Sequence, residues 1–146
     1  MLTSRESVVV AAIAEAFFPA CEPIGIGGEA AGTVAYVDTL VARAALPQRI
    51  QLRGLLMLFE IGTAITHRGR LFSAAPLQER ISRLTAWEQA DHYLQRASFS
   101  ALRWLFTLAY LADPQVQGSI GLPQVDARPP VPLRRPGSPQ RLRRRP

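Results

Sequence analysis

The glycine-rich stretch GIGGEA, residues 25–30, has the spacing of the G-x-G-x-x-A fingerprint that cradles the phosphates of a dinucleotide. That fingerprint binds a dinucleotide only between a strand and a helix, with an acidic residue about twenty positions further on. Here the stretch follows an apolar, helix-forming segment that stops at Pro19, and the next acid after it, Asp38, comes too soon. We therefore interpret residues 25–30 as a connector that needs no ligand.

Cysteine and histidine are the other residue types that could carry catalysis or hold a metal ion. The chain has one cysteine, Cys21, and two histidines, His67 and His92, which are too few for a Cys/His zinc site without carboxylates. Glu88 and His92 stand four positions apart, whereas a di-iron bundle repeats Glu-x-x-His on two helices. No spacing typical of a nucleophile and its base is present. We predict a packed Cys21, a His67 that complements a helix C-terminus, and no catalytic, cofactor-binding or metal-binding residues.

Residues 8–21, VVVAAIAEAFFPAC, could be either an export signal or the first helix of the fold. A secretory signal needs an uninterrupted apolar core followed by small residues. Glu15 interrupts this run, and Pro19 stands after two phenylalanines where small residues are required. Thr3 and Glu6 have the spacing of a capping box, which starts a helix by satisfying free backbone N–H groups. The segment is therefore predicted to be a buried helix, and the chain as written to be cytoplasmic.

Helical periodicity, broken by glycine or proline, extends over most of residues 1–122. No run alternates between apolar and polar residues in the manner of a half-buried strand. We predict an all-α domain over residues 1–122, a small bundle of about five helices around a single core. The helices are expected at about residues 4–18, 33–45, 47–67, 76–90 and 92–112.

The third predicted helix is apolar around most of its circumference. Its one polar edge consists of Arg49, Arg53, Glu60, Thr63 and His67 at helical spacing. A helix with this pattern normally lies at the centre of a bundle, with its polar edge in water. We therefore expect the third helix to be the central one.

Charge and proline are concentrated at the C-terminal end. Residues 1–122 carry ten arginines and ten acidic residues, whereas residues 123–146 carry seven arginines against Asp126 alone, so the net charge of +6 belongs to this segment. Seven of the twelve prolines also lie there, with almost no large apolar residue. We predict a disordered basic tail over residues 123–146. Arginine-rich segments bind phosphates, but this one lacks the aromatic residues on which single-stranded nucleic acids stack.

Apolar residues are numerous but form no membrane span. The longest apolar stretch, residues 55–65, is interrupted by Glu60 and falls short of the ~20 residues that cross a bilayer. Hydrophobic residues make up 48% of the chain, more than five short helices can hide, and exposed apolar patches usually mark binding sites for other proteins. We expect a partner interface at six residues: Phe72, Trp87, Trp104, Tyr110, Ile120 and Leu122.

Four segments follow one another in a recognisable order: LTSRESVVVAAIAEAFFP (residues 2–19), YVDTL (36–40), RLFSAAPLQERISRLTAW (70–87) and FTLAYLADPQVQGSIGL (106–122). Together they resemble the small subunit of gluconate 2-dehydrogenase, the subunit 3 family. The resemblance covers about residues 2–122. The chain departs from the family pattern at Leu122, where the family usually has tyrosine.

The resemblance implies a non-catalytic accessory subunit of a membrane- or cytoplasm-associated oxidoreductase complex. In such complexes a large flavoprotein of the glucose-methanol-choline (GMC) type binds FAD and oxidises a sugar, sugar acid or alcohol, and a cytochrome subunit can accept the electrons. The small helical subunit helps the flavoprotein to fold, assemble or be exported. Many members carry a twin-arginine leader, so a true start upstream of Met1 would make the chain periplasmic. The alternative hypothesis is a helical adaptor that binds nucleic acid or an acidic partner through its arginine-rich tail.

Overall fold

Six helices and no strand form the regular secondary structure of the residues that the computed structural model describes, which are 1–21, 23–66 and 69–122. The helices are α1 (Ser4–Phe17), α2 (Thr33–Arg43), α3 (Leu46–Thr66), α4 (Leu77–Glu88), α5 (Tyr93–Leu111) and α6 (Pro114–Ser119). The prediction of an all-α bundle is confirmed. The predicted tail, residues 123–146, and His67 lie outside the described residues.

The short helix α6 is an addition to the five helices predicted. Its start is capped by Asp113, whose carboxylate accepts hydrogen bonds from the backbone N–H of Gln115 at 2.8 Å and of Val116 at 3.2 Å. Pro114 occupies the first turn, where its missing N–H leaves no bond unmade. Val116 is fully buried and closes the end of the bundle. The Asp-Pro pair therefore both follows α5 and begins the next helix.

The central helix is α1, which packs against α2, α3, α4 and α5. Its predicted capping box is present: the Thr3 N–H donates to Glu6 Oε2 at 2.7 Å, and the Glu6 N–H donates to Thr3 Oγ1 at 3.2 Å. Val9, Val10 and Ile13 of α1 are fully buried. The prediction that the third helix is central is wrong, because α3 lies beside α1 and its apolar circumference is not enclosed by the described chain.

Aromatic side chains join the helices around α1. Phe59 of α3 contacts Phe72 and Trp87 edge-on, with ring centroids 4.8 Å apart in both pairs. Phe17 of α1 stacks on Phe106 of α5 at 5.8 Å. These contacts fix α3, α4 and α5 relative to α1, since well-packed aromatic pairs add to the free energy of burial.

The glycine-rich connector between α1 and α2 is closely packed. The Gly28 N–H donates to the Phe18 carbonyl at 2.8 Å, and the Thr33 hydroxyl donates to the Gly28 carbonyl at 2.6 Å. A Cβ atom at Gly28 would lie 2.2 Å from the Ala14 carbonyl oxygen, so only glycine fits. The segment follows a helix, and its glycine serves packing against α1. That this segment binds no dinucleotide stays a prediction.

Buried polar side chains hold the chain between α3 and α4. The Glu60 carboxylate is 1% exposed and accepts hydrogen bonds from the Ser73 N–H at 2.9 Å and the Ser73 hydroxyl at 2.6 Å. The fully buried Arg83 donates to the Arg70 carbonyl at 2.9 Å and pairs with Glu79 at 2.6 Å. Removing either buried charge would leave polar groups without partners, so these bonds fix the position of the loop.

Candidate partner interface

One side of α3 carries a row of apolar side chains that no described part of the chain covers. Leu46, Ile50, Leu58, Ile61 and Ile65 are between 50% and 81% exposed. Spacings of three, four and eight positions place them on one side of the helix, in a row from Leu46 to Ile65 that is roughly 29 Å long at 1.5 Å per residue. We define the α3 outer face as these five residues together with Gly54.

The charged side chains of α3 are bonded to other parts of the chain. Arg49 donates to the Val41 carbonyl at 3.1 Å and to two further carbonyls at the end of α2, at 3.3 Å each. Arg53 bonds the Met1 carbonyl and lies 3.4 Å from the Glu6 carboxylate. The predicted water-facing edge therefore faces the protein, because these long-range partners satisfy its charges. The sequence also assigns Thr63 and His67 to that edge, but their side chains are not among those that the structure describes.

The outcome is a helix that is apolar on two sides, with Leu56 and Phe59 buried inside and the outer face uncovered. Apart from the outer face, the exposed positions among the described side chains of α3 are Pro47, Gln48 and Gln51. None of the exposed positions carries a charge. Charged residues on a surface helix normally face water and apolar ones the core, so this arrangement is typical of a surface that another molecule covers.

A second exposed apolar surface lies on α5. We define the α5 outer face as Tyr93, Leu94, Trp104 and Leu108, which are between 54% and 76% exposed. Trp104 lines a groove of about 590 Å³ whose walls mix polar and apolar groups. Two arginines flank it: Arg103 pairs with Glu88 at 2.8 Å, and Arg96 donates to the carbonyl groups of Ala90 and Asp91 at 2.7 and 2.8 Å. This surface therefore mixes apolar and charged groups.

The six residues predicted for the interface fall into two groups. Phe72, Trp87 and Tyr110 are at most 8% exposed and belong to the core, so they are not available on the surface of this chain. Trp104, Ile120 and Leu122 are 70%, 41% and 48% exposed. The structure brings Phe72 and Trp87 together around Phe59, and Tyr110 and Ile120 together at one pocket. Trp104 lies apart from these on the α5 outer face, and the interface role of the set stays a prediction.

The pocket shared by Tyr110 and Ile120 is apolar and has a volume of about 300 Å³. Tyr110 stacks on Phe18 with ring centroids 4.2 Å apart, and its hydroxyl donates to the Ile26 carbonyl at 2.8 Å. Burial raises the pKa of the Tyr110 phenol above its ordinary value, and the nearby Cys21 and Asp113 raise it further. The phenol therefore acts as a neutral donor that holds the connector to α5.

Comparison with known proteins decides what kind of chain this is. A sequence model of gluconate 2-dehydrogenase subunit 3 matches residues 4–123. The chain belongs to the gluconate 2-dehydrogenase subunit 3 family. No curated protein matches the chain, and no solved structure does.

Family membership gives the most recognisable segment of the subunit, residues 70–87, a structural explanation. Phe72, Arg83, Leu84 and Trp87 in this segment are all buried. Their side chains build the α3–α4 loop and its contact with α1, rather than a surface for a ligand. In this chain the segment therefore belongs to the core.

Among residues 1–21, 23–66 and 69–122, no three His, Cys, Asp or Glu side chains cluster as metal ligands would. His92 is exposed at the start of α5. Cys21 is exposed at the pocket, so the prediction that it is packed is wrong. No helix in the described ranges is long and apolar enough to cross a bilayer.

Proposed function

We propose that this member of the gluconate 2-dehydrogenase subunit 3 family is a non-catalytic subunit of an FAD-dependent dehydrogenase complex. It binds a large flavoprotein of the GMC type, which oxidises a sugar, sugar acid or alcohol, and assists the folding, assembly or export of that flavoprotein. FAD is held by the flavoprotein, and a cytochrome subunit is a further candidate partner that accepts the electrons.

Uncovered apolar surface is the observation that supports this proposal most directly. The α3 and α5 outer faces expose large apolar side chains that the described chain does not bury. Each square ångström of such surface gains about 25 cal/mol when a partner covers it. A catalytic site requires polar groups that converge on a pocket. The prominent feature of the described residues is instead exposed apolar surface.

Binding alone is enough for this subunit to assist a flavoprotein. A protein that binds only the folded form of its partner stabilises that form by mass action, by about 2.7 kcal/mol when its free concentration is a hundred times the Kd. The same contact shields apolar surface of the flavoprotein from aggregation before the complex is complete. No bond-making step in the small subunit is required.

Co-expression with a candidate GMC-type flavoprotein from the same organism tests the proposal. We expect more soluble, FAD-loaded flavoprotein with the wild-type chain than without it, and co-elution of the two on size exclusion. The Trp87→Ala variant, which disrupts the core, controls for non-specific effects of a second expressed protein. Equal yield and FAD content without the chain, together with separate elution, would contradict the proposal.

Deleting residues 123–146 separates this proposal from the alternative adaptor hypothesis. An accessory subunit that binds through its helices keeps its association with the flavoprotein after the deletion. An adaptor that binds nucleic acid through its seven tail arginines loses that binding, and its affinity falls steeply with salt. Salt-sensitive binding to DNA with no flavoprotein association would favour the adaptor.

A further inference from the structure

We propose that the α3 outer face is the surface by which this subunit docks on its flavoprotein, against an uncharged apolar surface of that partner. This inference rests on the proposed function and adds which face binds and the chemistry of the surface that receives it. Three features of α3 carry it: a fixed orientation, an uncharged exterior and a glycine with no role inside the chain.

The orientation of α3 is fixed by contacts on its inner side. Arg49 is bonded to three carbonyls at the end of α2, and Glu60 is bonded to Ser73. Phe59 is wedged between Phe72 and Trp87. Rotation of α3 to hide its apolar side would break these polar bonds and would also expose Phe59, which is now buried. The outer face therefore stays exposed until another molecule covers it.

Gly54 lies on the outer face, in the middle of a helix, where glycine is destabilising relative to alanine. Its neighbours do not explain it, because a Cβ atom at this position would have nothing within 4 Å. A positive φ does not explain it either, since Gly54 is not among the glycines with that conformation. A partner that approaches the backbone closely between Ile50 and Leu58 accounts for the missing side chain.

The chemistry of α3 favours a large protein over other occupants. The α5 outer face is flanked by Arg96 and Arg103, whose charges a partner would have to desolvate, whereas the α3 outer face contains no charged residue. A membrane surface is usually met by free cationic side chains beside the apolar face, but Arg49 is bonded to carbonyls at the end of α2 and Arg53 is paired with Glu6. A second copy packed through this face alone would bury only these five side chains from each chain, which is less than the ~800 Å² per partner of a stable interface. A large catalytic subunit can extend beyond the helix and cover more of the surrounding surface.

The test measures the affinity of the full chain for the purified flavoprotein. The double variant Ile61→Glu/Ile65→Glu places two charges on the outer face without touching the core, and we expect its Kd to rise at least thirtyfold. Ser82→Glu, at an exposed position of α4, is the matched charge control and should bind like wild type. Trp104→Glu carries the same change to the α5 outer face and should weaken binding less than the double variant.

Gly54→Gln adds bulk without charge and sharpens the test. Glutamine is the better helix former, so the isolated variant should melt at the same or a higher temperature than wild type. We expect it nevertheless to bind the flavoprotein at least tenfold more weakly, which a merely destabilised variant would not explain. Wild-type affinity in both Gly54→Gln and the double variant would overturn the proposal.

Other outcomes assign the face to a different occupant or remove the proposed function altogether. Vesicles of phosphatidylcholine and phosphatidylglycerol that bind wild type but not the double variant, with flavoprotein affinity unchanged, would mean a membrane surface. A dimer of the isolated chain that the double variant dissociates, again with flavoprotein affinity unchanged, would mean a second copy. If Trp104→Glu abolishes binding and the double variant does not, docking is through α5 and the proposed function stands. If the wild-type chain does not bind the flavoprotein at all, both proposals fail.

Discussion

Helices α3 and α4 are neighbours that share the contact between Phe59 and Trp87, yet they differ in which side chains they expose to solvent. In α4 the large apolar residues face inward, and its exposed positions are Gln78, Ser82, Thr85, Ala86 and Glu88. In α3 the charged residues are bonded within the chain, and five large apolar residues face outward although Leu56 and Phe59 are buried. A helix whose apolar residues are all buried within the chain contributes to folding alone. A helix that leaves an apolar side exposed can also bind a partner. Substitutions in α4 should therefore change stability, and substitutions on the α3 outer face should change binding.

The largest effect is expected from the buried tryptophan of α4. Trp87→Ala should lower the free energy of unfolding by about 3–5 kcal/mol, because it removes the ring against which Phe59 packs and leaves a cavity. Chemical denaturation followed by circular dichroism measures this change. Trp104→Ala, on the exposed α5 outer face, is the matched control and should stay within about 0.5 kcal/mol of wild type. Similar losses in both variants would mean that α5 is also closed by contacts within the chain.

The buried carboxylate of α3 should have the next largest effect. Glu60→Ala removes both hydrogen bonds to Ser73, so we expect a loss of about 2–3 kcal/mol in the free energy of unfolding. Glu88→Ala breaks only the exposed ion pair with Arg103 and should cost less than about 1 kcal/mol. Urea titrations of the two variants measure the difference. A Glu60 variant as stable as the Glu88 variant would show that the inner side of α3 is not held by its charges.

Much of the fold could be predicted from the sequence because its signals are local. The capping box at Thr3 and Glu6, the stop before Pro19 and the glycine-rich connector depend on residues close together in the chain. The short helix α6 was missed because the Asp113–Pro114 pair, which starts it, is equally typical of a segment that follows a helix.

The orientation of α3 could not be predicted because its causes are not local. Periodicity identifies two sides of a helix, but the side that faces inward depends on partners elsewhere in the chain. Arg53 finds Glu6 and the Met1 carbonyl across 47 and 52 positions, and Glu60 finds Ser73 across a loop. The same limit applies to the predicted interface: Phe72 and Trp87 are large and aromatic, but their neighbours place them in the core.

Tyr110 offers a smaller effect with a distinct pH dependence. Tyr110→Phe removes the hydrogen bond to the Ile26 carbonyl and should cost about 1 kcal/mol at neutral pH, whereas Tyr93→Phe, at an exposed position, should be neutral. Burial raises the pKa of the Tyr110 phenol in the folded chain, so above pH about 10 the unfolded chain loses a proton that the folded chain retains. Wild-type stability should therefore fall as the pH rises past that value. The Tyr110→Phe variant should lack this part of the fall, which thermal melts across pH 8–11 can measure.

The smallest change in stability is expected on the α3 outer face, and these substitutions test most directly whether α3 differs from α4. Ile50→Lys and Ile65→Lys should leave the free energy of unfolding within about 0.5 kcal/mol of wild type, because neither side chain is enclosed by the chain. Both should raise the saturation concentration of the isolated subunit by shrinking its apolar patch. Leu56→Lys, at a fully buried position of the same helix, should unfold the protein and shows that the charge itself is not harmless. A loss above about 1 kcal/mol at Ile65 would mean that the chain covers its own outer face, and α3 would then be an ordinary bundle helix like α4.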